Sequence, residues 1–509
     1  MDFAQLLPNL ALGFETAVTL QNLTYCFIGV FVGTLVGVLP GIGPLAAIAM
    51  LLPATFNLPP TGALIMLAGI YYGTQYGGST TSILVNLPGE SASVVTCIDG
   101  YQMAKNGRAG PALAIAAIGS FFAGTVGTIL IALAGPPLAE VALKFGAPEY
   151  FSLMTMGLIA SAVLASGSML KAIAMIFLGL LIGIVGTDVN SGMSRFTFGA
   201  SGLADGLSFV VVAMGLFGFG EILSNLEKGE EASSRELLKT KIEHLYPTWR
   251  DMKLTAGPIM RGTAIGAFFG TLPGAGPTIS AFSSYALEKK MANNPEEFGK
   301  GAIQGVAGPE SANNAAAQCA FIPTLTLGIP GSGTMALMLG ALTIQGIAPG
   351  PQVMTQRPDL FWGLIASMWI GNAMLVILNL PLVGLWVKLL SVPYRLLFPA
   401  ILVFMAIGVY SVNNLDLDIY LTVLFGLMGY VFVKLKCEPA PLILAFVLGP
   451  LMEENLRRAL LISRGDPMVF FNRPISATFL ILTMLLLFFM ILPAVRKKRE
   501  IAYQEPPSA

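Results

Sequence analysis

The sequence predicts an all-α polytopic membrane protein, built as two inverted-topology repeats with broken, re-entrant helices plus an extra C-terminal transmembrane helix. Three observations predict this. Of 509 residues, 55% are hydrophobic and 11% charged, and mean hydropathy is +0.75, whereas a soluble domain carries roughly 25% charged residues. An octapeptide of the form Gly-x-Leu-Pro-Gly-x-Gly-Pro occurs twice, as GVLPGIGP at 37–44 and GTLPGAGP at 270–277, each inside a long apolar stretch. Loops that match in sequence between the two halves also carry opposite charge bias, which by the positive-inside rule puts them on opposite sides of the membrane.

The elements follow in order. Residues 1–226 read as the first repeat. The N-terminal stretch has no Lys or Arg and so lacks the basic n-region of a cleaved signal peptide. The first octapeptide interrupts the first apolar stretch, because Pro and clustered Gly are poorly tolerated in a helix interior. Spans are expected at 110–138, 148–165, 171–187 and 205–224. The hydrophilic stretch at 227–256 is a linker, and its basic residues, among them Lys228, Arg235, Lys239, Lys241, Arg250 and Lys253, place it in the cytoplasm. Residues 257–456 repeat the pattern, with spans at 361–388, 397–412, 418–433 and 439–452. SILVNLPGES at 82–91 matches TLTLGIPGSG at 324–333, with nine extra residues between octapeptide and Pro-Gly turn in the second half. Residues 457–509 hold an interfacial segment, a last span at 474–494 and a cytoplasmic tail anchored by Arg496, Lys497, Lys498 and Arg499. The N-terminus is then periplasmic. Arg457, Arg458, Arg464 and Arg473 fall on the outer side against the rule; an interfacial helix whose arginines reach headgroups would hold them.

Breaks at equivalent places in two halves mark a transporter binding site. Non-helical backbone survives in a membrane only where protein or a water-filled cavity satisfies it. In each octapeptide a helix ends near Leu-Pro and another starts at Pro44 or Pro277, so exposed N–H groups and the helix dipole face an anion. Gly41, Gly43, Gly274 and Gly276 let a ligand approach the backbone. Two polar segments flanked by apolar runs complete the site. Ser79, Thr80, Thr81, Asn86, Gly89 and Ser91 are candidates in the first, and Asn313, Asn314, Gly331, Ser332 and Thr334 in the second. No Lys or Arg lies in these turns, so an anion would be held by dipoles and hydroxyls. Glu90 and Glu310 are the ion-coupling candidates, since an intramembrane carboxylate is a functional site by default. Asp99 is a third acid to follow, while Asp188 and Asp205 read as helix-end or loop residues.

Other chemistry is excluded. Net charge is zero, which offers nothing to nucleic acid. Cys26, Cys97, Cys319 and Cys437 lack metal-ligand spacing and read as buried thiols. His244, the single histidine, lies in the linker. No HExxH or G-x-S-x-G motif supports an enzyme. Beyond the coupling ion, no cofactor is expected, and no metal site beyond a possible Na+ at the broken helices.

These motifs resemble those of the large membrane subunit of the tripartite tricarboxylate transporters. The likeness rests on both octapeptides, YGGSTTSILVNLPGE at 76–90, GPESANNAAA at 308–317 and LGIPGSGTMALMLGAL at 327–342, with RFTFG, LADG and EENLRRAL at 195–199, 203–206 and 453–460. The resemblance implies a bacterial inner-membrane secondary transporter. It implies a small membrane subunit and a periplasmic solute-binding protein as partners. It also implies Na+ or H+ as coupling ion, and citrate or another carboxylate as cargo. The reading is therefore a carboxylate importer working by elevator-like alternating access. A channel with Pro-Gly filter segments is the alternative.

Overall fold

A computed structural model of the chain describes residues 5–39, 43–164, 168–188, 191–227, 246–272, 276–389 and 394–491. Gly41, Gly274, His244 and the basic tail lie outside them. The first half runs α1 (Leu6–Ala17), α2 (Leu20–Val38), α3 (Pro44–Leu51), α4 (Pro60–Val85), α5 (Val94–Lys105), α6 (Ala109–Ala142), α7 (Ala147–Leu164) and α8 (Met169–Gly183). A two-residue ladder of β1 (Gly186–Thr187) with β2 (Ser194–Arg195) follows, then α9 (Phe209–Ala213), a π-helical turn at Met214–Phe219 and α10 (Gly220–Glu227). The second half runs α11 (Trp249–Gly270), α12 (Gly276–Met291), α13 (Gln304–Cys319), α14 (Phe321–Leu327), α15 (Gly333–Ile344), α16 (Gln352–Gln356), α17 (Pro358–Asn379), α18 (Val383–Leu389), α19 (Tyr394–Asn413), α20 (Asp416–Lys434) and α21 (Ala440–Ile462). Short α22 (Val469–Asn472) and the final α23 (Pro474–Ile491) close it.

Local chemistry explains the boundaries. Thr19 caps α2 by accepting from the Asn22 N–H, and Thr248 with Asp251 forms a capping box on α11. Pro44 and Pro60 sit in the first turns of α3 and α4, where the missing N–H costs nothing. Left-handed residues end α4 and α14: Asn86 at φ 58° and Gly328 at φ 70°.

Several expected spans shift. The helix expected at 171–187 stops at Gly183, because Gly186 at φ 119° turns the chain into the β-ladder. The 361–388 span divides into α17 and α18, and α21 continues past 452 to Ile462. Five helices among the described residues are long and apolar enough to cross a membrane, α2, α6, α9–α10, α17 and α20, with shorter apolar helices beside them. All four cysteines are free thiols; Cys26 and Cys319 are buried and the other two half-buried.

Lipid supplies no hydrophobic drive between helices, so close backbone approach through small residues must hold them. Gly29, Gly33 and Gly37 of α2 rest on the backbone of Met66, Ile70 and Thr74 of α4; a Cβ at each would lie 2.3, 2.5 and 2.4 Å from the facing carbonyl oxygen. The second half repeats this. Gly262, Gly266 and Gly270 of α11 rest on Gly308, Ala312 and Ala316 of α13, at 2.2, 2.2 and 2.5 Å. In both pairs the numbering climbs together, so the helices are parallel.

These pairs, with α1, α5, α6, α12 and α17, form one packed group. Helices α7 to α10 and α20 to α23 form another, with α3, α15 and α19 between them. The arginines expected on the outer side find partners in the second group. Arg457 pairs with Asp188 (3.2 Å) and Glu453 (2.6 Å), Arg458 with Glu454 (2.5 Å) and Arg473 with the buried Glu149 (2.5 Å). Local carboxylates thus hold three of the four arginines that were expected to reach headgroups, and Asp188, which follows β1 rather than ending a helix, is an ion-pair partner. Arg464 is exposed.

A leucine at Gly33 or Gly266 must push two backbones apart. Gly33→Leu and Gly266→Leu should each cost about 1–3 kcal/mol or more. Gly384→Ala, where an added Cβ meets nothing within 4 Å, should be neutral or slightly stabilising. Thermal unfolding of the purified variants in detergent checks the contrast; equal midpoints for all three would refute the packing role.

Candidate functional site

The parallel packing carries each octapeptide to the Pro-Gly turn of its own half. A Cβ built on Gly43 would lie 3.9 Å from the Glu90 Cβ, and one on Gly276 would lie 3.9 Å from the Ser332 Cβ. Gly89 sits where a Cβ would meet the Gly78 Cα at 2.4 Å and the Gly37 carbonyl oxygen at 2.6 Å, so no larger residue fits. Its counterpart Gly331 faces the Gly270 carbonyl oxygen, with more room at 3.3 Å.

Contacts also cross between the halves, in matched pairs. Ser91 Oγ meets Thr278 Oγ1 at 2.9 Å, and at the corresponding place Gly333 packs on Leu45. Asn313 Nδ2 donates to Glu90 Oε1 at 2.9 Å, and the Tyr71 hydroxyl correspondingly meets the Ser332 side chain. Each contact maps onto its partner when the two halves are exchanged. Ser332 also caps α15 by accepting from the Met335 N–H, with Thr334 buried in that first turn.

Two acids occupy this seam. Glu310 is fully buried on α13. Its carboxylate accepts from Ser79 Oγ at 2.5 Å and from the Thr96 hydroxyl. Asn314 Nδ2 donates to the Glu310 carbonyl oxygen (3.1 Å) and to Ser120 Oγ (2.7 Å). Glu90 is 9% exposed and lies within Coulombic reach of Glu310. Four other buried acids have arginine partners: Asp251 with Arg108 and Glu288 with Arg261, each at 2.5 Å, besides Glu149 and Asp188. Asp99 accepts backbone N–H bonds from Gly299, Gly301 and Ala302 at 2.8 Å and the Tyr285 hydroxyl at 2.9 Å. Glu90 and Glu310 have only neutral amides and hydroxyls beside them among the described residues, as has the buried Asp418 on α20, which accepts from Asn413 Nδ2 at 2.8 Å.

The remaining candidates divide by role. Thr80 bonds the Tyr76 carbonyl at 3.4 Å, and Thr81 reaches the Val38 carbonyl at 2.7 Å, satisfying the frayed end of α2. Asn86 is the left-handed cap of α4, a backbone duty that Gly328 performs in the other half. Residues not singled out from the sequence join the site: Thr96 on Glu310, Ser120 on Asn314, and Tyr76 donating to Asn372 Oδ1 at 2.7 Å. Both polar atoms of fully buried Gln75, and Oδ1 of Asn313, have no protein partner. Buried polar groups are nearly always paired, so these atoms are among those that can receive a ligand or water.

Asn86→Gly should keep the stability of the parent, whereas Asn86→Leu should lose about 1–2 kcal/mol from the left-handed backbone alone. Thermal unfolding separates the two, and uptake by Asn86→Gly then reads whether the amide also serves a ligand.

The chain matches the tripartite tricarboxylate transporter TctA family over residues 23–444. It is 58% identical over 500 residues to an uncharacterized 52.8 kDa protein from the TAR-I ttuC' 3' region of Agrobacterium vitis, covering 98% of this chain and 99% of that protein. It is also 58% identical over 240 residues to an uncharacterized protein from the TAR-II ttuC' 3' region of the same organism, covering 47% of this chain and 99% of the relative. No solved structure matches it. With a match across most of its length, this multi-pass chain belongs to the tripartite tricarboxylate transporter TctA family, a family of transporters and not of enzymes.

Proposed function

We propose that this chain is the transporting subunit of a cation-coupled carboxylate importer. The observation that carries the reading is the pair of buried acids without a cationic partner, Glu90 and Glu310, on the seam between the halves. An anionic cargo near an ionised carboxylate is repelled. At 8 Å and an effective dielectric of about 20, one pair of unit charges costs about 2 kcal/mol, and cargo with two or three charges multiplies this. A proton or sodium ion on each acid removes the penalty. Loading the cation is then a condition for loading the anion, which is coupling in its simplest physical form.

The cargo would lie against Gly41, Gly43, Gly274 and Gly276, the Gly89 and Gly331 turns, and Ser91, Ser332, Thr334, Asn313 and Asn314. Helix N-termini and amides supply the positive potential there. The parallel pairs α2 with α4 and α11 with α13 support re-entrant hairpins at α2–α3 and α11–α12, because the chain must return before the next helix starts from the same side. Exchange-matched contacts and opposite loop charges support inverted repeats. The two packed groups, meeting at α3, α15 and α19, support an elevator-like movement of one against the other. Members of this family work with a small membrane subunit and a periplasmic binding subunit, and this chain would take its carboxylate from such a binding protein at the bacterial inner membrane.

Glu310→Gln and Glu90→Gln imitate the cation-neutralised acids. In proteoliposomes they should lose gradient-driven accumulation by about tenfold or more while retaining exchange of preloaded carboxylate. Accumulation at the parental rate in both variants would sink the assignment, and a flux that never saturates would favour a channel.

A further inference from the structure

The helices that follow the two Pro-Gly turns, α5 and α15, end in matched contacts with the opposite half. Asn106, the C-cap of α5, donates to the Lys300 carbonyl at 3.4 Å, and Gln345, the C-cap of α15, donates to the Thr55 carbonyl at 3.0 Å. Lys300 lies in the connection from α12 to α13, and Thr55 in the connection from α3 to α4. At the α5 end one further residue joins in. Asp99 is fully buried, and its Oδ1 accepts the N–H groups of Gly299, Gly301 and Ala302, each at 2.8 Å. Its Oδ2 accepts the Tyr285 hydroxyl of α12 at 2.9 Å. The loop is shaped for this: Gly299 at φ 88° and Gly301 at φ 109° adopt backbone that favours glycine. A Cβ on Gly305 would lie 2.3 Å from Asp99 Oδ2. At the α15 end, Ala341 stands where Asp99 does, and the connection carries Pro53 and Pro59, which have no N–H to give.

A hydrogen bond to a charged acceptor is about twice as strong as a neutral one, so the two ends are held unequally. Four such bonds converge on the Asp99 carboxylate. Pulling the loop away would leave that charge unmet until water entered, so the contact releases as a unit. Asp99 also lies one helical turn from Thr96 on the same face of α5, and Thr96 holds the Glu310 carboxylate. Fixing the loop therefore fixes α5 against α13 beside the acid. We propose that Asp99 and residues 299–302 form a latch that keeps the seam between the halves closed at this end. Both parts belong to the first packed group, so the latch works inside it. That this end faces the cytoplasm, where cargo would leave, rests on the importer reading above; the latch itself does not.

Hydrogen exchange of the purified full-length chain in detergent, read by mass spectrometry, measures such local opening. Asp99→Ala should speed exchange about tenfold or more throughout α5 and α12, on both sides of the seam, and leave residues 44–59 and α15 at the parental rate. Asp99→Asn, whose Oδ1 can still accept the three N–H bonds, should restore most of the protection. Gln345→Ala, which removes one neutral bond, should have a smaller effect confined to the other end. A rise limited to the amides of 299–302 means that Asp99 only caps the loop, and it overturns the latch. An equal rise at both ends overturns it too. If Asp99→Ala fails to fold, Tyr285→Phe removes one of the four bonds and should give the same pattern at lower amplitude; parental exchange in that variant and in Asp99→Asn alike overturns the latch. Carboxylate efflux from proteoliposomes is measured separately. Faster efflux in Asp99→Ala ties the latch to cargo release, and parental efflux with the exchange pattern above keeps the latch but removes that role. A parent chain that moves no carboxylate removes the importer reading and leaves the latch standing.

Discussion

Close backbone contact between parallel helices is the constraint on which the rest of the structure depends. Where lipid gives no hydrophobic drive, two helices hold together by dispersion and by what small residues allow. The glycine rows at 29, 33, 37 and at 262, 266, 270 bring α2 onto α4 and α11 onto α13 at carbonyl contact. Gly37 and Gly270 are at once the last residue of each row and the first of each octapeptide. The same packing that stabilises each pair therefore brings Gly43 and Gly276 to the Pro-Gly turns, and a shift of one helical turn would part Gly43 from Glu90 and Gly276 from Ser332.

A duplicated scaffold does not make duplicated chemistry. Corresponding positions pair Asn86 with Gly328, Glu90 with Ser332, and Asn313 with Tyr71. At the first, backbone geometry is kept and the side chain is free to change. At the second and third, one crossing contact links an amide to a carboxylate and the other a phenol to a hydroxyl. The charge-bearing contact thus falls on one side of the seam only. Glu310 has an alanine, Ala68, as its counterpart, which adds to the same imbalance.

Local signals made much of this legible. Pro and Gly clusters mark where helices stop; α3 starts at Pro44, and α12 starts at Gly276, one residue ahead of Pro277. The divided span at α17–α18 and the early end of α8 were hidden, because short apolar runs read alike whether they bend or continue. Partners far apart in sequence were hidden too. Arg457 finds Asp188, and Glu310 finds Thr96, only after folding. The outer arginines broke the charge rule on paper, yet ion pairing removes the cost that the rule records for most of them. Asn86 carries a second duty that the sequence did not announce: it is the left-handed cap of α4.

The absence of Lys and Arg from the described turns has a physical logic. A fixed cation would neutralise Glu90 or Glu310 permanently and hold an anion too firmly to release, since a charged hydrogen bond is about twice as strong as a neutral one. Arg108 and Arg261 show that the fold can bring arginine to a buried acid, and it does so at Asp251 and Glu288. Leaving two acids on the seam uncompensated keeps the positive charge mobile. In the coupling proposed above, cargo affinity would depend on whether a cation has arrived and would fall when that cation departs. A carrier that must bind on one side and release on the other needs this dependence, and a permanent counter-ion would abolish it.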